Sequence, residues 1–232
     1  MPKLAMPAFT IFGLTLSAFI RIARVLGITA LIVLYALLVH HVNILGQPSA
    51  FGAFLALIPM FMVVISYVSK AKSRFKGVSV LLIFFIATWF LWSFIKQHTG
   101  LVFWLLDIGL MLALLMTFAQ TLLHGRKPLC VYFAEIINGG ELPPEHEMYA
   151  RKVTMAWVIF FAMIIITSTV LFFTMPLAIW SFFVNFLTLP LVALMFAGEF
   201  LIRRRVLSNL PTGHVLDAVR AYLKNPHEQD KT

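Results

Sequence analysis

Six apolar blocks, each long enough to cross a lipid bilayer, leave this chain of 232 residues only one route to a satisfied backbone. Read from the sequence they are Ile22–Val39, Phe51–Val68, Val78–Ile95, Leu101–Leu123, Val153–Phe173 and Leu177–Ile202. A helical crossing takes about 20 mostly apolar residues at ~1.5 Å rise each. No water reaches the hydrocarbon to pair N–H and C=O groups, so each block must close its hydrogen bonds internally, as helix. The blocks run too long and unbroken for barrel strands, which alternate over about ten residues. The predicted fold class is therefore all-α, a polytopic transmembrane helical bundle of six spans.

Basic residues set the orientation. Of the 18 lysines and arginines, all but Lys96 fall in alternate gaps and in the two terminal segments. Cytoplasmic segments keep Lys and Arg and translocated ones lose them, which predicts both termini in the cytoplasm. Trp89, Trp92, Trp104 and Trp180 then all fall in the outward halves of their spans, where amphipathic rings anchor at headgroup level. The net charge of +9 points to anionic headgroups and topology. It does not point to nucleic acid, because the cations flank spans and form no stripe interleaved with aromatics. A single cysteine, Cys130, rules out an internal disulfide and any thiolate cluster.

Three regions follow. Residues 1–21 read as an amphipathic segment in the cytoplasmic interface, with Thr10, Gly13, Ser17, Arg21 and Arg24 on one helical face. The alternative is a seventh span. Residues 22–205 form the six-span membrane domain, and residues 206–232 a cytoplasmic tail in which Thr212 caps a short helix ended by Asn225-Pro226. The one sizeable loop, residues 124–152, is punctuated closely. Pro128 opens a short helix with Leu129, Phe133, Ile136 and Ile137 on its apolar side. Asn138-Gly139-Gly140 stops it, and Pro143-Pro144 starts a second helix that runs on into span five.

No complete catalytic or metal motif is visible, and no cofactor or metal is expected. Asp107 is the one acid well inside a span, which makes it a functional candidate, because such acids are costly to keep there. Asn185 lies at a similar depth in span six and can share a hydrogen bond with Asp107 if their helices touch; as a bland alternative, each holds helices together or reaches outer water. His40, His41 and His98 gather near the outer face, where solvation explains them more simply than metal. Glu199 and Arg203 sit four apart in the order that favours a helical ion pair. Arg126, Lys127, Arg151 and Lys152 bracket the inner loop, with Tyr149 beside them, and can hold a phosphate, a lipid headgroup or an acidic protein.

Gly125–Phe161 carries a dense pattern: Gly-x-x-Pro-Leu-Cys at Gly125–Cys130, Phe133-Ala134, Gly-Gly-x-Leu-Pro-Pro at Gly139–Pro144, and Tyr149-x-Arg151-x-Val153-Thr154-x-x-Trp157. With the run Asn185–Phe196 and the following Glu199 and arginines, it resembles a family of small bacterial inner-membrane proteins. That family is encoded beside fatty-acid-synthase-like enzymes, acyl carrier proteins and acyltransferases, in gene clusters for aryl polyene and related pigments. The resemblance spans about residues 24–205 and implies a setting in the bacterial inner membrane, not a reaction. Three roles compete. The first is an accessory protein that docks acyl-chain synthesis at the cytoplasmic face, its partners being membrane lipids and an acyl carrier protein or acyltransferase. The second is a carrier or flippase for an acyl or lipid-linked product. The third is a membrane-embedded acyl or lipid transferase using Tyr149, Glu147, His124 or His146.

Overall fold

The computed structural model describes residues 8–71, 73–123, 126–140 and 142–206, with side chains from Ile22 onward apart from Asn138. The tail helix expected near Thr212 lies outside the described residues. Among the described residues every regular element is helical. Six helical stretches among the described residues are long and apolar enough to cross a membrane, so the protein is a multi-pass membrane protein. Its contacts divide it into two compact units, Met1–Thr99 and Gly100–Thr232.

The first unit holds α1 (Ala8–Leu45), α2 (Ala50–Lys70) and α3 (Arg74–Gln97). No break separates residues 8–21 from the first span: α1 is one helix of 38 residues. Ser49 caps α2 through its Oγ, which accepts the Gly52 N–H at 3.3 Å. The small residues Gly52, Ala53 and Ala56 are buried on α2, as expected where helices in lipid associate by close backbone approach.

Pro59, inside α2, is the one backbone defect there, and the structure shows how it is repaired. Proline has no N–H, so the carbonyl four residues earlier, that of Leu55, loses its helical partner. In lipid such an orphan is costly. The Tyr35 hydroxyl on α1 donates to the Leu55 carbonyl at 3.2 Å. Tyr35→Phe is expected to cost about 1 kcal/mol of stability in detergent, the usual worth of one such bond. In a Pro59→Ala background, where residue 59 again donates to Leu55, the same change should cost close to nothing. Equal costs in both backgrounds would show that Tyr35 acts through ring packing alone.

The second unit holds α4 (Thr99–Thr121, entering the unit at Gly100), α5 (Leu129–Asn138), α6 (Pro144–Thr174), α7 (Leu177–Phe182) and α8 (Thr188–Val206). A single π-helical turn, Phe183–Leu187, joins α7 to α8. Pro190 follows directly; its ring crowds the turn before it and it has no N–H for Phe186, so a widened turn relieves the strain. The core gathers Met111, Trp157, Phe161, Ile164 and Phe183, with Phe118 edge-on to Phe161 at 5.5 Å and Phe196 4.7 Å from Trp157.

Helix lengths show where this unit outgrows the bilayer. At ~1.5 Å per residue α4 is about 34 Å long, close to the ~30 Å hydrocarbon core, while α6 is about 46 Å. At one end the chain turns from α6 into α7 across Met175-Pro176. The surplus of α6 therefore lies at the opposite end, which carries Arg126, Lys127, Arg151, Lys152 and Arg203 and is called the basic end below.

Candidate functional site

Two polar constellations stand out in the second unit. The larger one is at the basic end and is built around α5. A helix of ten residues is marginal by itself, and its first N–H groups have no partner within the helix. Neighbouring spans supply them. Thr121 Oγ1, at the end of α4, accepts the Leu129 N–H at 3.0 Å, and Thr154 Oγ1, on α6, accepts the Cys130 N–H at 3.2 Å. Thr154 is fully buried and passes its own proton to the Ala150 carbonyl at 3.0 Å. At its far end α5 stops on Gly139 with φ 73°, and the Gly140 N–H reaches back to the Glu135 carbonyl at 3.1 Å. Only glycine takes that conformation cheaply.

These anchors fix the direction of α5. Its start is tied to Thr154, about 15 Å along α6, and α5 is itself about 15 Å long. The chain then returns to Pro144 through the short segment that follows Gly139. So α5 stands upright, antiparallel to the first turns of α6. The pair makes a helical hairpin projecting past the end of α4.

Side chains divide accordingly. Val131 is buried against the unit, whereas Tyr132 (52%), Phe133 (52%), Ile136 (59%) and Ile137 (41%) are exposed along the outer face. Arg126, Arg151 and Lys152 are exposed near the base of the hairpin. Lys127 is engaged: its Nζ meets both Glu135 carboxylate oxygens at 2.9 and 3.1 Å. That ion pair joins the loop before α5 to the helix, a tie that the place of Lys127 among four bracketing cations does not announce. Tyr149 donates its hydroxyl proton to the Glu199 backbone carbonyl at 3.2 Å, clipping α6 to α8. Glu199 Oε1 lies 3.5 Å from Arg203 Nε.

Cys130 sits half-buried among these groups. Burial pushes its thiol above the ordinary value, the Thr154 hydrogen bond offsets part of this, and the Glu199 carboxylate adds to it. A thiol held protonated is a poor nucleophile, so the arrangement does not prime Cys130 for acyl transfer.

Compared with family models, curated proteins and solved structures, the chain matches none. Its own geometry is what relates its motifs. The segments at Arg126–Cys130, Tyr149–Trp157 and the end of α8 are far apart in sequence and meet at this basic end through the Thr154 and Tyr149 hydrogen bonds.

The second constellation lies toward the other end of the unit. Asp107, on α4, accepts the Ser168 hydroxyl proton at its Oδ2, 2.7 Å away. Ser168, fully buried on α6, in turn accepts the Trp180 Nε1 proton at 3.0 Å. Trp104, one turn before Asp107, stacks on Phe172 at 5.2 Å, and Phe172 meets Trp180 edge-on at 5.3 Å. Asn185 does not join Asp107. It sits in the π-helical turn, and its Nδ2 donates to the carbonyl and hydroxyl oxygens of Ser181, at 2.8 and 3.1 Å. Ser168 and Trp180 were not linked to Asp107 by sequence reasoning; the three hydroxyl residues Thr167, Ser168 and Thr169 inside an apolar run were the available signal. Among the described residues no three His, Cys, Asp or Glu side chains stand together as metal ligands, and His40, His41 and His98 form no such group.

Proposed function

We propose that this protein is a docking component of an acyl-chain synthesis system in the bacterial inner membrane, receiving an acidic carrier protein on its cytoplasmic, basic end. The observation that carries the reading is the upright hairpin: an exposed apolar strip, Tyr132, Phe133, Ile136 and Ile137, held rigidly over the exposed cations Arg126, Arg151 and Lys152. Exposed apolar strips rimmed by charge mark interaction surfaces. An acyl carrier protein is acidic and offers the matching sign of charge, which speeds encounter and sets register. The cytoplasmic placement rests on the positive-inside bias of the sequence, and the choice of partner on the motif resemblance. A carrier role has one observation in its favour, the isolated acid Asp107.

The test uses the full-length protein in lipid nanodiscs and a purified acyl carrier protein. Arg126→Glu with Arg151→Glu is expected to weaken binding at least tenfold. Raising salt should weaken the parent likewise, since exposed charges are screened over about 8 Å at physiological ionic strength. Ile136→Ser should weaken binding without changing its salt dependence. Undiminished capture after charge reversal and in high salt would end the docking reading.

A further inference from the structure

Asp107 has no counter-charge at its depth on the helices of the second unit that carry its partners. The helices carrying its partners hold no titratable side chain in Met155–Thr174 or in Leu177–Gly198, and on α4 Asp107 is the only one. Neither the Lys127–Glu135 nor the Glu199–Arg203 ion pair involves it, and its one hydrogen bond is to Ser168. It lies eight residues into α4, about 12 Å from that end. A lone carboxylate at that depth is costly, and a proton is the smallest species that cancels its charge.

The hydrogen-bond polarity says which oxygen would take it. An indole nitrogen can only donate, so the Trp180 Nε1–H must point at Ser168 Oγ. The single hydroxyl proton of Ser168 is then directed to Asp107 Oδ2. Oδ2 is thereby fixed as an acceptor, and Oδ1 is the remaining oxygen. Both donors are buried, which holds this polarity. Asp107 itself is only partly buried.

We propose that Asp107 is a reversible proton-binding site, taking a proton on Oδ1 while the Trp180–Ser168 relay holds Oδ2 as the carbonyl oxygen of the resulting acid. The step is a protonation alone: one O–H bond forms on Oδ1 and the carboxylate charge is cancelled. The relay passes no proton, because every hydrogen in it already points toward Asp107. Its work is to orient the carboxyl group in both states.

Infrared difference spectroscopy of the full-length protein in nanodiscs tests this. The parent protein should show a carboxylic-acid C=O band near neutral pH that shifts in heavy water and disappears reversibly on alkalinisation. Asp107→Asn should remove it. Ser168→Ala should keep the band but move it to higher frequency, because the carbonyl oxygen loses its donor. Tryptophan emission and elution volume report folding of both variants separately. The absence of an acid band in the folded parent near neutral pH, or a band unmoved by Ser168→Ala, overturns the proposal.

Discussion

Gly52→Leu is expected to prevent the first unit from assembling, leaving little folded protein after extraction in mild detergent. A Cβ at this position would stand 2.7 Å from Val42 Cγ1 and 2.9 Å from Thr99 Cγ2. Both obstacles are methyl groups on β-branched side chains, which have few alternative rotamers in a helix. Neither can swing aside, so the helices themselves must part. Even Gly52→Ala should cost about 1–3 kcal/mol, the usual penalty for overpacking. Leucine adds three more carbons and breaks the close approach on which helix pairing in lipid depends. Gly109 supplies the contrast: a Cβ there meets nothing within 4 Å, so Gly109→Ala should leave stability unchanged or raise it by up to about 1 kcal/mol. Thermal retention of a monodisperse peak separates the cases, and a well-folded Gly52→Leu protein would show that the helices re-pack freely there.

What the sequence makes legible follows from the range of the force that sets each feature. The spans are dictated by local hydropathy, and all six are found, with ends shifted by up to nine residues where span five starts at Pro144 and not Val153. Local too are the glycine stop of α5 at Gly139 and the start of α6 at Pro144, because cap chemistry acts within a turn. The uninterrupted run of α6 into span five follows from an absence of breakers. What escapes is pairing across helices. Nothing in the spacing of Thr121, Thr154 and Cys130 announces that two threonines will cap one short helix. Equally, depth in a span puts Asp107 level with both Asn185 and Ser168, and rotation about the helix axis decides between them. That rotation is set by packing in the core of Met111, Trp157, Phe161, Ile164 and Phe183, which no local spacing announces. Asn185 is turned to Ser181 by the π-helical turn, for which Pro190 is the only trace in the sequence.

Trp180 carries the other large effect, and two substitutions divide it into parts. Its side chain is 1% exposed and is wedged against Phe172 with its Nε1–H on Ser168. Trp180→Ala should cost about 3–5 kcal/mol, as large buried aromatics do when cut back to a methyl group. In a membrane protein most of that is lost dispersion contact, since lipid cannot fill a gap enclosed by protein. Trp180→Phe keeps much of the ring volume and removes the N–H. It should cost less, about 1–2 kcal/mol, and its signature is chemical. Ser168 Oγ, buried and stripped of its donor, can then turn its proton away from Asp107, so the two positions should no longer behave independently. A cycle with Ser168→Ala measures this: the two changes together should cost clearly less than the sum of each alone. Additive costs would mean that Trp180 serves as packing only and that the polarity of the relay is set elsewhere.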